Sequence, residues 1–321
     1  MTSQRHAWER WHDPEEEIRV GVSSCLLGNE VRYDGDHRLD RFVAEELGQW
    51  VSWVPVCPEV EIGLGVPRPP IRLEGLPEDP RLVEPASGAD LTGRMLAYGE
   101  SRSNALQAFG LDGFMLKSRS PSCGLRGVKV VADGGRTVRR GKGLFARALG
   151  DRLPGLPLEE AERLADPALR ESFVERLLCR HRLRTLLRSG SSSERLAAFH
   201  AAHELLLRAH NEAGWRRLGR FAAGHSPEAY GVELQTTMRW KTTSKRHIRV
   251  LRVVLDRLDG MIDLAEKREI EDLIEEYRFG RASLTQIRGV LRRHTVRHGV
   301  PSLVDQLYLD PHPAEMALSD K

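Results

Sequence analysis

Apolar residues in the first half of the chain fall in short runs, each ending in a turn rich in Ser, Pro or Gly. IRVGV (18–22) runs into Ser23-Ser24-Cys25, WVPV (53–56) into Cys57, and GFMLKS (113–118) into Arg119-Ser120-Pro121-Ser122-Cys123-Gly124. Short β-branched runs between turn signals predict buried strands. GVKVV (127–131), the ADGG turn and RTVRRG predict a hairpin. Between the strands, helical spacing covers 39–50 through Phe42 and Leu47, and a longer helix is expected near 89–109, capped by Asp90 or Thr92. GLGVPRPP (63–70) holds too much Pro and Gly for regular structure and reads as a loop. Strands alternating with helices predict an α/β domain whose mostly parallel sheet is covered on both faces.

After Pro154-Gly155 the apolar period shifts to near 3.6, predicting helices over 167–188, 194–212, 226–258, 261–277 and 284–298. Charged residues occupy the opposite faces, as in an all-α helical bundle. RSGSSS (188–193) reads as a linker with Ser193 as a cap, and the tail YLDPHPAEM (308–316) is too Pro-punctuated to be helical throughout. The expected division is a polar extension (1–17), an α/β domain (18–155), a connecting helical segment and linker (156–193) and a helical domain (194–321).

Composition narrows the class of protein. With 40% hydrophobic and 30% charged residues, the 321-residue chain has apolar material for two real cores. The net charge of +3 does not announce a nucleic-acid binder by its size. The start, MTSQRHAWERWHDPEEE, lacks the apolar core of a signal peptide, and no apolar run reaches the roughly 18 residues that cross a bilayer. A cytoplasmic protein without membrane contact is expected, its four cysteines reduced rather than forming a disulfide framework.

Three of those cysteines follow predicted strands. Ligands of open α/β sheets sit beyond the carboxyl ends of the strands, so Cys25, Cys57 and Cys123 are placed to meet there. Thiolates are the soft ligands that iron–sulfur clusters and zinc select. A single free cysteine is more often a small buried hydrophobe. Three at strand ends, each in a tight turn, favour a shared metal. No C-x-x-C spacing is present, so spacing leaves an iron–sulfur cluster, zinc and a redox pair all open. Cys179, in FVERLLCRHRL, lies on the apolar side of a helix and reads as a packed core thiol. His200, His203, His210 and His247 show no metal spacing with carboxylates, and no second metal is expected.

VSSCLLG (22–28), VRYDG (31–35), VCPE (56–59), GVPRPP (65–70) and LKSRSPSCG (116–124) together resemble the TudS-type thiouracil desulfidases, in order, up to GKGLFARAL (141–149). YRFGRASL (277–284) and QLYLDPHPAEMAL (306–318) resemble the YbgA-type helical domain. Proteins joining the two are similar to the RudS-type tRNA 4-thiouridine desulfidases. One departure stands out: HIRVLRVVLDRLDG (247–260) lacks the Asn and second His common in such helical domains.

The resemblance implies a 4Fe–4S cluster on Cys25, Cys57 and Cys123, with one iron left without a protein ligand. That iron would act as a Lewis acid for a thiocarbonyl sulfur while water attacks the carbon, giving the carbonyl. The substrate implied is a thiolated pyrimidine, either 4-thiouridine in tRNA or a thiouracil derivative. It implies Glu59 as general base and Ser120 as the catalytic serine, with Ser122 the alternative and Asp34, Arg68 and Lys117 as pocket residues. A different class stays open: a non-enzymatic RNA-binding or redox-sensing protein with a structural iron–sulfur or zinc site. A fourth ligand from Cys179 would favour it.

RWKTTSKRHIRVLRVVLDR (239–257) sets seven Lys or Arg against Asp256. On a helix, Ile248, Leu251 and Leu255 form an apolar stripe, and Lys245, Arg249 and Arg252 a basic one suited to phosphate. Trp240 and Trp215 are candidates for stacking on bases. The bland alternative is a solvated face balanced by the acidic DLAEKREIEDLIEE (263–276). Beside a thiobase-processing domain, the expected partner is tRNA.

Overall fold

The computed structural model describes residues 6–190, 192–224, 226–240 and 242–312. Lys241 of the basic segment and residues 313–318 of the closing motif lie outside them. The chain divides into an α/β unit, 17–178, and a helical unit built from 6–16 and the residues from Cys179 onward.

In the α/β unit the chain forms β1 (Arg19–Ser23), β2 (Ser52–Val56), the one-turn helix α1 (Pro58–Glu61), β3 (Arg72–Leu76), β4 (Asp79–Glu84) and β5 (Ala89–Asp90). It continues through α2 (Thr92–Phe109), β6 (Gly113–Leu116), β7 (Val128–Val131), β8 (Thr137–Gly141), α3 (Leu144–Arg152) and β9 (Leu158–Glu160). The first sheet is parallel throughout, in the order β2-β1-β6-β9. Its central strands are buried almost end to end, as parallel strands covered on both faces must be. Gly21 sits opposite Phe114 in register, and a Cβ there would lie 2.2 Å from the Phe114 ring. Only glycine lets that ring lie across β1.

A second sheet, β5-β4-β3-β7-β8, goes beyond the predicted hairpin. Its pairs are antiparallel except β3 with β7. The segment 39–50 forms only a short π turn, Phe42–Glu46, and a 3₁₀ turn, Leu47–Gln49. Its buried apolar stripe is just Val43 and Leu47, too little to hold a longer helix by packing.

Helix α4 (Pro167–Arg188) contains the division between the units. The helical unit then holds α5 (Ser193–Ala202), α6 (Glu204–Ala223), α7 (Pro227–Met238), α8 (Ser244–Leu258), α9 (Leu264–Arg278), α10 (Leu284–Arg297) and α11 (Pro301–Val304). The predicted helix 194–212 breaks at His203, and 226–258 breaks at 239–243, where the Thr243 hydroxyl accepts the Arg246 N–H and caps a new helix. Ser192, one residue before the expected cap, accepts the Arg195 N–H. Phe199, Tyr230, Leu251, Leu291 and Tyr308 lie in the core, with Cys179 buried among them. Residues 6–16 pack here too: Trp11 stands edge-on to Phe199 at 5.4 Å, and Glu16 accepts from Arg184 and Arg188. Among the described residues, no helix is long and apolar enough to cross a membrane.

His203 gives this unit a pH dependence. It is fully buried, stacks on Phe199 at 3.9 Å and bonds the Phe199 carbonyl through Nδ1. Burial, reinforced by Arg182, pushes its pKa down to about 3. The unfolded chain therefore takes up a proton near pH 6.5 that the folded chain refuses. Stability is full above that pH and falls as pH drops toward 3. Urea unfolding followed by helical circular dichroism should show a loss of about 2 kcal/mol between pH 6.5 and 5. His203→Gln should flatten that slope; an unchanged slope would remove His203 as its source.

Candidate metal centre

The parallel sheet explains how distant cysteines come together. Strands β2, β1 and β6 are neighbours, and Ser23 pairs with Val56 while Val22 pairs with Met115, so their carboxyl ends align. Cys25 lies in the 3₁₀ turn Ser24–Leu27 after β1, which Gly28 closes with φ 87°. Cys57 directly follows β2 and precedes α1. Cys123 sits in the loop after β6. That loop is held by the Ser120 hydroxyl, which accepts the N–H groups of Ser122 and Cys123 at 3.2 and 3.1 Å. Gly143 backs it, where a Cβ would lie 2.5 Å from the Ser122 carbonyl. Arg119 in the same loop has φ 61°, an unusual conformation for a side-chain-bearing residue, of the kind found where a loop is held for function.

None of the three thiols is in a disulfide. Burial pushes Cys25 up to about 11, with Cys57 the next cause. Burial also raises Cys57, offset by the Val60 and Glu59 amides that face its sulfur. Cys123 is raised well above the usual thiol range: burial dominates, the Ser23 hydroxyl partly relieves it, and Glu59, Cys25 and Cys57 add to it. Each thiol thus resists ionisation beside the others, a cost that a multivalent soft cation removes. Three soft thiolates delivered to one sheet edge are the donor set that an iron–sulfur cluster or zinc selects.

Glu59, in α1, stands beside this cluster of thiols. Its Oε2 accepts from Arg68 Nη2 at 2.6 Å and Nε at 3.2 Å, and its Oε1 accepts the Ser122 hydroxyl at 2.9 Å. Arg68 is nearly inaccessible (3% of its side chain exposed) and also donates to the carbonyls of Gly65 and Val31. The Cys57 thiol reaches the same Val31 carbonyl at 3.7 Å. Glu59, Arg68 and Ser122 thus form one network. Ser120 shapes the loop rather than touching Glu59. Asp34 is apart from it, paired with Arg32 at 2.9 Å. Lys117 donates its N–H to Ser23, and its Nζ to Ser118 and Glu162.

A cavity of about 410 Å³ is lined by Leu26, the residue after Cys25, and by Asp36 to Asp40, Lys117, Ser118, Ala161 and Glu162; none of the three cysteines is on its lining. Its volume falls within the range of small-molecule sites. Lys117 is the only one of the expected pocket residues on its lining; Glu59, Arg68 and Ser122 are not among them. Several contributors escaped sequence reading. Ser23 ties Lys117 and Cys123 to β1, and Glu160 accepts the Leu125 and Arg126 N–H groups to hold the Cys123 loop from β9. β9 is three residues with no apolar alternation, so the pattern carried no signal for it.

On the helical unit, Lys245, Arg249 and Arg252 are exposed along one face of α8, and His247, Val250, Leu251, Val254 and Leu255 are buried on the other. Arg252 makes a loose pair with Glu275 at 3.7 Å. Trp240 is half-exposed with the Arg246 guanidinium 5.7 Å from its ring, whereas Trp215 is packed between the core, His200 and Arg208.

An α/β unit that delivers three unbridged thiols to the carboxyl edge of a parallel sheet, next to a fixed carboxylate, has the donor set of a thiolate metal site. Residues 20–161 match the family described as 2-thiouracil desulfurase, and residues 204–313 match a protein of unknown function, DUF1722. The uncharacterized protein YbbK of Bacillus subtilis (strain 168) is 32% identical over 109 residues, covering 32% of this chain and 71% of YbbK. A solved [4Fe-4S]-dependent thiouracil desulfidase, TudS, shares 31% identity, with a TM-score of 0.39, covering 49% of this chain and 99% of that one. The chain belongs to the 2-thiouracil desulfurase family.

Proposed function

We propose that the chain is an iron–sulfur-dependent desulfidase that exchanges the sulfur of a thiolated pyrimidine for oxygen, with 4-thiouridine in tRNA as its substrate. The observation that carries this reading is the set of three buried, unbridged thiols beside the Arg68–Glu59–Ser122 network. Cys25, Cys57 and Cys123 would hold a 4Fe–4S cluster, which would supply a Lewis acid soft enough for thiocarbonyl sulfur. The rest is the work of side chains. Water adds to the thiocarbonyl carbon, the carbon–sulfur bond breaks, and carbonyl product and hydrogen sulfide leave. Glu59 takes the proton from the attacking water. Arg68 keeps that carboxylate in place and Ser122 orients its second oxygen. Ser120, whose oxygen already accepts two loop amides, offers its hydroxyl proton to substrate or water. Lys117 presents a cation to the cavity lined by Leu26, and Asp34 fixes Arg32 near the Cys25 thiol.

The exposed basic face of α8 supports tRNA as substrate. Charge concentrated on one helical face gains phosphate affinity by releasing counterions. Replacing Lys245, Arg249 and Arg252 together with Ala should weaken tRNA binding by tenfold or more and lower its salt slope by up to about three, while turnover of free thiouracil is unchanged. Equal loss on both substrates would argue against an RNA role for this face.

The test is anaerobic reconstitution with iron and sulfide, then incubation with thiouridine-containing tRNA and with free thiouracil. Sulfide release and a matching carbonyl product support the reading. Cluster-loaded protein that releases sulfide from neither would overturn it, and release from free thiouracil alone would overturn tRNA as the substrate.

A further inference from the structure

Helices α9 and α10 run antiparallel, setting the first turn of one against the last turn of the other. There Glu266 faces His294 and His298, which stand one helical turn apart. His294 Nδ1 lies 3.5 Å from Glu266 Oε1, and His298 Nε2 lies 3.4 Å from Oε2. Both nitrogens are buried and have no hydrogen-bond partner among the described residues. All three ligand atoms fit within 4.8 Å of one another. The separations are longer than the roughly 2.7–3.2 Å of an N–H···O bond. They leave room for an ion between the two imidazoles and the carboxylate, whose nitrogen and oxygen ligands bind zinc at about 2.0–2.2 Å.

We propose that Glu266, His294 and His298 bind a divalent transition-metal ion of the zinc type, clamping α9 to α10, with water as the fourth ligand. Two imidazoles and one carboxylate suit zinc better than magnesium or calcium, which take oxygen alone. The surroundings orient these ligands. Asp263 donates its N–H to Glu266 Oε2 at 3.0 Å as part of the capping box, which fixes the carboxylate opposite the two rings. Arg297 pairs with Glu266 Oε1 at 2.7 Å, but its side chain is 72% exposed and is free to swing into solvent once a metal neutralises the carboxylate. Other histidines of this unit serve the core instead: His203, His210 and His247 bond the Phe199 carbonyl, the Trp240 carbonyl and the Tyr308 hydroxyl.

The test uses full-length protein with its cysteine site already loaded with iron and sulfide, so that thiolates do not compete. It is equilibrated anaerobically with Zn²⁺, freed of excess metal, and its zinc counted and examined by X-ray absorption. The expected result is one zinc per chain, bound by nitrogen and oxygen alone, with iron content unchanged. His298→Gln and Glu266→Gln should each weaken zinc binding at least about tenfold while helical circular dichroism holds. Gln at position 266 keeps the capping-box acceptor, so that variant isolates the metal contact. No retained zinc, sulfur-ligated zinc, or wild-type affinity in both variants would overturn the proposal. Should either variant misfold, the ligand set seen in the wild-type chain decides the question.

Discussion

Glu59→Gln leaves the iron and sulfide content of the reconstituted protein intact and slows desulfuration by roughly 10²–10⁴-fold, the usual contribution of a general base. The substitution keeps the shape of the side chain and its acceptor for the Ser122 hydroxyl, and removes the charge that takes a proton. It also leaves Arg68 without its anion. Removing one partner of a buried pair commonly costs about 3–5 kcal/mol. Here Arg68 keeps its bonds to the Gly65 and Val31 carbonyls, which limits the damage. Thermal melting beside iron analysis separates the two effects. A variant that melts near the parent temperature, holds its iron and loses turnover marks Glu59 as catalytic. One that loses its iron marks Glu59 as structural.

Replacing Cys25, Cys57 or Cys123 singly with Ser has the larger effect. Iron falls from about four per chain to under one, and turnover falls below detection, because the serine hydroxyl is a hard ligand for iron. Cys179→Ala is the contrast: its thiol is buried in the helical core, and its removal should leave the iron count untouched. Iron lost equally on removing Cys179 would make it a fourth ligand and favour a structural cluster over a catalytic one.

How far this was legible in the sequence depends on what each residue answers to. Strand-end cysteines were readable because parallel strands are buried on both faces, so they appear as short apolar runs with sharp ends. IRVGV, WVPV and GFMLKS mark β1, β2 and β6 within two residues at each end. The second sheet was less so: β3 and β4, RLEGL and DPRLVE, mix charge, Pro and Gly with little alternation, and their pairing supplies order that the pattern lacks. The division of labour between Ser120 and Ser122 was invisible, since two serines in one turn differ only in which way the loop points them. The Glu266–His294–His298 cluster was hidden for another reason. Its members lie on two helices, and only the antiparallel packing of α9 on α10 brings them together.

The most direct test of the central claim runs cluster-loaded protein for a single turnover in ¹⁸O-labelled water with a thiolated pyrimidine. If water replaces sulfur at this site, the product carbonyl carries one ¹⁸O atom, one sulfide is released per product, and Cys123→Ser forms neither. Product without ¹⁸O, or product formed equally by Cys123→Ser, would contradict the account.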